Sequence, residues 1–198
     1  MGHDLSPAAT TGADLTGLFD GANTCTLTES TTQGPYYFDA DRIRGDIRED
    51  RAGTRLRVAI KVMESESCAP LPNAVVEIWH CDAAGLYSGA EDLSTGGGQP
   101  GGGDGMADLT PADDKRYLRG AQITNGDGIV EFTTIWPGWY RGRTTHIHAM
   151  VHVSNARVLT TQMMFDEDLN STVYEAQPYA ARTGRDTFND TDTIYDPS

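Results

Sequence analysis

Basic residues are scarce in this sequence. It has 15 Lys and Arg against 29 Asp and Glu, which gives a formal net charge of -14. Nucleic acids and anionic membrane surfaces bind proteins through clustered positive charge, so this balance argues against both as partners. No apolar run approaches the roughly 20 residues that cross a bilayer, so the sequence predicts no membrane-spanning helix.

Periodic structure is missing from the first part of the chain. Residues 1–23 follow neither a helical nor a strand period, and they lack the basic and apolar regions of a signal peptide. We therefore expect a flexible N-terminal segment over residues 1–23 and one folded domain over residues 24–198. The polar residues 179–198 are predicted to wrap around the surface of that domain.

Cysteines are few. Cys25, Cys68 and Cys81 allow one disulfide and leave one thiol over, or they remain three thiols. We favour one disulfide, with its pairing left open, and hence an oxidising compartment. The expected location is extracellular, with a native signal already removed, and the cytoplasm is the alternative.

Long helical patterns are also absent, whereas alternating apolar and polar residues recur. Such strand patterns are separated by turn residues and cover residues 56–62, 74–79, 129–135, 146–153 and 158–165. They predict a mainly β protein, a single-domain β-sandwich of mixed strands with long loops and little helix. The glycine-rich residues 96–105 are either a surface connector or a loop beside a pocket.

The segment from Trp136 to His148 concentrates the groups that could bind a metal. His146 and His148 are two residues apart, so in a strand both imidazoles leave the same face. Tyr140 lies six residues upstream, after a Pro-Gly turn. His152 is about 13 Å from His148 at strand rise, so we expect it to be structural.

His80, beside Trp79, is also predicted to be structural. A second phenol follows the strand of residues 74–79, where Tyr87 ends a Gly-Leu-Tyr turn. Two phenolates and two imidazoles would form a hard, anionic site suited to a trivalent ion, because only a strongly Lewis-acidic cation displaces a tyrosine proton. Zinc favours Cys, His and carboxylate ligands, and ferrous oxygenases use two His and one carboxylate.

Four motifs together resemble the intradiol ring-cleavage dioxygenases, which are the catechol and protocatechuate dioxygenases with non-haem ferric iron. They are Gly-Pro-Tyr-Tyr at residues 34–37, residues 74–87, Leu-Arg-Gly at residues 118–120, and residues 133–148. The similarity runs from about residue 25 to 165. It is greatest to compact, secreted-type members without an N-terminal dimerisation region.

The resemblance implies roles for particular residues. The Fe(III) ligands would be Tyr87, Tyr140, His146 and His148. Arg143 would face the bound ring and Gln162 would lie near the substrate, although each could instead be a hydrogen-bonding strand residue. The substrate pocket would be lined by Gly34, Pro35, Tyr36, Tyr37 and Trp139, of which the tyrosines could also be core residues.

The implied activity is cleavage of a catechol by dioxygen between its two hydroxyl-bearing carbons, which yields a cis,cis-muconate-type product. Tyr140 would act as ligand and base, and Arg143 would stabilise developing charge. Two alternatives are a non-catalytic β-sandwich module that binds carbohydrate or phenolic compounds, and a metal-storage site. The sequence does not choose between a monomer and a small homo-oligomer.

One departure from the family concerns the stretch between Tyr140 and His146, which is shorter than in the better-known enzymes. An insertion there helps to form their pocket. The shorter stretch suggests a shallower, more open site that accepts larger catechols.

Overall fold

The computed structural model describes residues 16–21, 25–95 and 107–195 of the chain. Its strands are β1 (Arg55–Lys61), β2 (Val75–Trp79), β3 (Arg119–Ile123), β4 (Ile129–Ile135), β5 (His146–Val153) and β6 (Ala156–Met164). The strand predictions are confirmed, with end points shifted by up to two residues. The glycine-rich residues 96–105 lie outside the described residues, as does most of the predicted N-terminal segment, residues 1–23.

The strands form two sheets. β1 and β4 make a two-stranded antiparallel sheet, and the larger sheet has the order β3-β2-β5-β6. Every neighbouring pair of these strands is antiparallel. Parallel pairing among the described residues is limited to two isolated bridges, Ile43 with Ala121 and Asp46 with Thr133. The predicted mainly β sandwich is confirmed, and its ladders are antiparallel.

The main core lies between the sheets. From β5 it receives Ile147, Ala149 and Val151, which pack with residues of the same kind such as Val76 and Phe132. Branched and aromatic side chains fit this pleated, half-buried surface. The opposite face of β5 is therefore free to carry His146, His148 and Met150, as the alternation predicts.

Helix is limited to short pieces in the described parts of the chain. They are α1 (Glu91–Ser94), α2 (Glu167–Tyr174) and the 3-10 turns Thr16–Phe19, Tyr179–Ala181 and Asn189–Thr191. Asp166 caps α2, because its carboxylate accepts a hydrogen bond from the Leu169 amide at 3.0 Å. At eight residues α2 is too short for periodicity to reveal it, and little helix is confirmed. None of the helices described here has the length and apolar character to cross a membrane.

The structure settles the cysteine pairing. Cys25 and Cys68 form a disulfide, and Cys81 is a buried thiol. The C-terminal segment only partly follows its prediction. Residues 179–195 run over the domain, but they bury Tyr179, Thr187 and Asp192.

Candidate metal centre

Four predicted ligands meet at the end of the larger sheet. His146 and His148 leave β5 on one face, and both are almost fully buried. Tyr140 is brought back toward them by a tight turn, marked by an isolated bridge between Tyr140 and Arg143. Tyr87 enters from the turn after β2 and is fully buried.

The polar atoms of these side chains converge on Nε2 of His146. That nitrogen lies 3.1 Å from His148 Nε2, 3.2 Å from Tyr140 Oη and 3.4 Å from Tyr87 Oη. Two ligands bonded at right angles to one cation, with bonds of about 2 Å, would be separated by about 3 Å. The observed spacing therefore suits ligands of one small ion.

Aromatic rings and close backbone enclose the four ligands. The Tyr36 ring stacks on that of Tyr87, with centroids 4.5 Å apart, and Trp79 stacks on His148 at 4.9 Å. Gly34 approaches His148 so closely that an added Cβ would lie 3.2 Å from the ring carbon Cε1. These residues separate the ligands from bulk water.

Burial sets the protonation of the ligands. It lowers the pKa of His146 to about 3 and that of His148 well below its usual value, so both imidazoles are neutral and keep a lone pair. Burial also raises the pKa of Tyr87 and of Tyr140, while the charge of Arg143 lowers both. A bound cation is therefore needed to make these phenols ionise.

The second ring nitrogens differ between the two histidines. Nδ1 of His146 lies 2.7 Å from the Thr144 carbonyl, which assigns the proton to Nδ1 and leaves the lone pair on Nε2. Nδ1 of His148 is buried and has no partner among the described residues. Such an unsatisfied group is uncommon in a folded protein and is often found at functional positions.

The donor set fits ferric iron. In the described part of the chain, no group of three or more His, Cys, Asp or Glu side chains could hold a metal ion. Two buried phenols with two neutral imidazoles remain, a set rich in hard oxygen donors. This chemistry suits a trivalent ion and differs from the ligands that zinc prefers.

Arg143 and Gln162 form a hydrogen-bonded pair beside the ligands. Gln162 lies across from His148 in the β5–β6 ladder, and its Oε1 accepts a hydrogen bond from Arg143 Nη2 at 2.5 Å. Gln162 Nε2 donates to the carbonyl of Thr32 at 2.8 Å. The predicted proximity of both residues to the ligands is therefore present, and both also make structural hydrogen bonds.

Asp192 joins this group although sequence patterns did not single it out. Its Oδ2 accepts hydrogen bonds from Arg143 Nε at 2.9 Å and from the Thr144 amide at 2.7 Å. Burial favours a higher pKa for Asp192, but the amides of Thr144 and Ile194 and the charge of Arg143 hold it below its usual range. A polar residue near the C-terminus gives no pattern that would have revealed this contact.

The remaining pocket candidates lie at different depths. Gly34 and Tyr36 cover the ligands, while Pro35 is exposed between them. Tyr37 packs on Trp79 and donates its hydroxyl to Glu77 at 3.0 Å, one layer behind His148. Trp139 packs under the guanidinium of Arg182, 4.1 Å from its ring centroid.

The two histidines expected to be structural make contacts of that kind. Both ring nitrogens of His80 are hydrogen-bonded, to the Cys81 carbonyl and to Thr134 Oγ1. His152 lies 3.8 Å from Glu77 and is not among the atoms that converge on His146.

A β-sandwich that gathers two tyrosines, two histidines and an arginine at one sheet end defines a class of mononuclear metal proteins, and comparison with known proteins identifies the family. A family model described as "Dioxygenase" matches residues 32–184. With this match over most of its length, the chain belongs to the intradiol ring-cleavage dioxygenases.

Individual relatives show how far the similarity extends. An intradiol ring-cleavage dioxygenase from Tetranychus urticae is 35% identical, with a TM-score of 0.79 over 86% of this chain and 81% of that one. The dioxygenase domain of a carbohydrate-binding fusion from Streptomyces sp. SirexAA-E is 26% identical, with a TM-score of 0.58 over 87% of this chain and 84% of that one.

Catechol 1,2-dioxygenase 1 from Acinetobacter lwoffii is 28% identical over 178 residues, which cover 78% of this chain and 51% of that protein. The chain thus spans about half the length of the curated relatives it matches.

Proposed function

We propose that this protein is a non-haem Fe(III) dioxygenase that cleaves catechols between the two hydroxyl-bearing carbons, with residues 24–198 as its catalytic domain. The observation that carries the proposal is the convergence of Tyr87, Tyr140 and His148 on His146 Nε2. The expected product is of the cis,cis-muconate type, with both oxygen atoms from O2. Relatives named for catechol, chlorocatechol and hydroxyquinol dioxygenation support this reaction class.

The two tyrosines are suited to different tasks. When bound, ferric iron would hold the catechol oxygens and make the ring reactive toward dioxygen. Tyr87 is fully buried under Tyr36, which fits a permanent ligand. Tyr140 retains partial exposure, so its Oη can take up a proton from an incoming catechol hydroxyl.

Arg143 supplies the positive charge of the site. Its guanidinium remains charged at every relevant pH and presents fixed donors. Negative charge that develops on the catechol ring would be stabilised by this group in a site with little water. Gln162 holds the guanidinium in place through the 2.5 Å hydrogen bond.

The structure also supports a preference for substituted catechols. Met164 lies directly across from His146 in the ladder, and it forms one wall of a cavity of about 640 Å³. Asp166, Glu167 and Asp190 also line this cavity. We propose that it receives a bulky neutral or cationic ring substituent, because a carboxylated substituent would meet like charge.

Oxygen uptake across a panel of catechols tests the reaction and the preference together. The panel contains catechol, a catechol with a bulky neutral substituent, one with an amine and one with a carboxylate. We expect the highest kcat/KM for the bulky neutral and amine compounds and intradiol products throughout. Extradiol products would overturn the reaction, whereas a preference for plain or carboxylated catechol would overturn only the substituent proposal.

Colour and iron content separate the alternatives. Ferric tyrosinate absorbs visible light, so a colourless protein that binds no iron would indicate a ligand-binding module. A coloured protein that consumes no oxygen with any catechol would indicate metal storage.

The Cys25–Cys68 disulfide supports a further proposal, that the protein works in an oxidising, extracellular compartment. Fractionation of the native source with antibody detection tests it. Protein found only in the cytoplasm would contradict it.

A further inference from the structure

The C-terminal segment, residues 185–195, binds the short loop that leads into β5. Asp186 Oδ1 accepts a hydrogen bond from the Gly142 amide at 3.1 Å. Asn189 Oδ1 accepts one from Thr144 Oγ1 at 2.6 Å. The loop thus takes its shape from a part of the chain that lies more than 40 residues away.

Asp192 makes the contact nearest to the candidate metal centre. Its side chain is fully buried, and Oδ2 accepts from both Arg143 Nε and the Thr144 amide. The other oxygen, Oδ1, accepts from the amides of Ile194 at 2.8 Å and Tyr195 at 3.2 Å. Four donors in different directions leave this carboxylate little freedom to move.

The orientation of the Arg143 guanidinium follows from its two fixed nitrogens. Nε is bonded to Asp192 and Nη2 to Gln162. Because the guanidinium is planar, these two bonds also set the direction of Nη1. Nη1 has no acceptor within the described ranges, so it is the donor left for a substrate.

We propose that Asp192 is a positioning residue for ring cleavage, which orients Arg143 so that Nη1 faces the bound catechol. The proposal rests on the proposed dioxygenase function. Asp192 touches neither the four ligands nor the cavity's expected substituent through any bond described above; it acts through Arg143. Its effect should therefore appear in turnover and leave metal binding intact.

The first test compares Asp192→Asn with Asp168→Asn, an exposed acid-to-amide change on α2. A small displacement of a catalytic group can reduce the rate by about 100-fold. We expect Asp192→Asn to lower kcat by about 10- to 100-fold, with iron content and visible absorption unchanged. Asp168→Asn should match the wild type. Wild-type kcat in Asp192→Asn would overturn the proposal.

A chemical measurement follows the orientation of Arg143 without any turnover. Phenylglyoxal modifies accessible arginines, and peptide mass spectrometry reports the rate at Arg143. We expect several-fold faster labelling of Arg143 in Asp192→Asn than in the wild type or Asp168→Asn. Equal labelling rates would show that Asp192 does not hold the guanidinium. If the wild type proves inactive with every catechol, the dioxygenase proposal fails while this comparison still tests the contact.

A double-mutant cycle separates positioning from a general structural role. If Asp192 acts only through Arg143, then adding Asp192→Asn to Arg143→Ala should change kcat less than two-fold. A further large loss, or loss of iron from Asp192→Asn, would overturn the proposal. If Asp192→Asn fails to fold, Asp192→Ser replaces it, and failure of both would assign the residue to stability alone.

Discussion

At the scale of single residues, Tyr87 and Tyr140 differ in exposure although both point at His146 Nε2. Their rings meet edge-on, with centroids 5.7 Å apart. Burial opposes ionisation of both phenols, and a positive charge opposes that effect. This balance makes the tyrosines sensitive reporters of a bound cation, and it leads to two predictions.

Tyr140→Phe removes a ligand and a proton acceptor together. We expect the visible absorption band to shift or weaken and kcat to fall by about 100- to 10,000-fold, the range usual for loss of general base catalysis. Visible spectroscopy and oxygen uptake measure the two effects. The control is Tyr117→Phe, which removes a buried hydroxyl bonded to Glu91 at 2.7 Å and should leave the colour unchanged. An unchanged band in Tyr140→Phe would remove Tyr140 from the ligand set.

Arg143→Ala removes the positive charge beside the ligands and leaves the ligands in place. We expect bound iron and colour to persist while kcat falls by about 100- to 1,000-fold, as when a donor to developing charge is deleted. Iron analysis and oxygen uptake provide the measurement. The exposed neighbour Arg141 offers the matched control Arg141→Ala. Near-normal turnover in Arg143→Ala would take this residue off the catalytic list.

At the scale of elements, turns bring the ligands together as much as strands do. β5 supplies His146 and His148, but Tyr140 depends on the turn that follows β4. In that turn Gly138 packs on the backbone beyond β2, and an added Cβ would lie 2.5 Å from the Asp82 carbonyl oxygen. Backbone atoms cannot move aside as a side chain can, so glycine is required at this position.

Gly138→Ala tests the packing of that turn. We expect the free energy of unfolding to fall by about 1–3 kcal/mol, the usual cost of overpacking, with a loss of metal affinity. Denaturant titration and iron binding provide the measurement. Gly126→Ala is the matched control, because nothing lies within 4 Å of a Cβ at Gly126. Equal stabilities of the two variants would contradict this account of the turn.

At the scale of the whole molecule, a covalent link and a buried acid influence stability. The disulfide joins residues 43 positions apart, from the segment before the sandwich to the region after β1. Glu77 lies on β2, buried between Tyr37 and His152. Both features act on the balance between folded and unfolded chain and leave the ligands unaltered.

Replacement of both cysteines, Cys25→Ser with Cys68→Ser, should lower the free energy of unfolding by about 4 kcal/mol, because a closed loop of this length restricts the unfolded chain. Denaturant titration measures the change. The wild type in reductant serves as the control and should unfold at the same midpoint as the variant. No difference between oxidised wild type and variant would contradict the prediction.

Glu77 predicts a pH-dependent stability. Burial raises its pKa to about 7, although the hydrogen bond from Tyr37 acts in the opposite direction. Between about pH 4.5 and 7 the unfolded chain loses this proton and the folded protein keeps it, so stability falls as pH rises. The total is about 3 kcal/mol, at about 1.4 kcal/mol per pH unit.

Glu77→Gln should remove that slope, as measured by thermal or denaturant unfolding across the same pH range. Glu175→Gln, an exposed acid-to-amide change, should retain it. A slope that persists in Glu77→Gln would assign the pH dependence to other groups.

Local patterns in the sequence were sufficient to predict much of this protein. Alternation over residues 146–153 placed His146 and His148 on one face and the apolar residues on the other, because the strand period is a local property. The strand limits, the mainly β class and the motifs of the dioxygenase family also depend on short stretches of chain. For the same reason they could be predicted without any knowledge of packing.

Contacts between distant segments were decided only by the tertiary structure. Asp192 and Arg143 are 49 residues apart, and Cys25 and Cys68 are 43 apart, so no local pattern pairs them. The location of Tyr37 behind Trp79 likewise depends on how the segment before β1 crosses the sheet. The ligands could be named from sequence because they lie in recognisable turns and strands, whereas the residues that orient them are selected by packing in three dimensions.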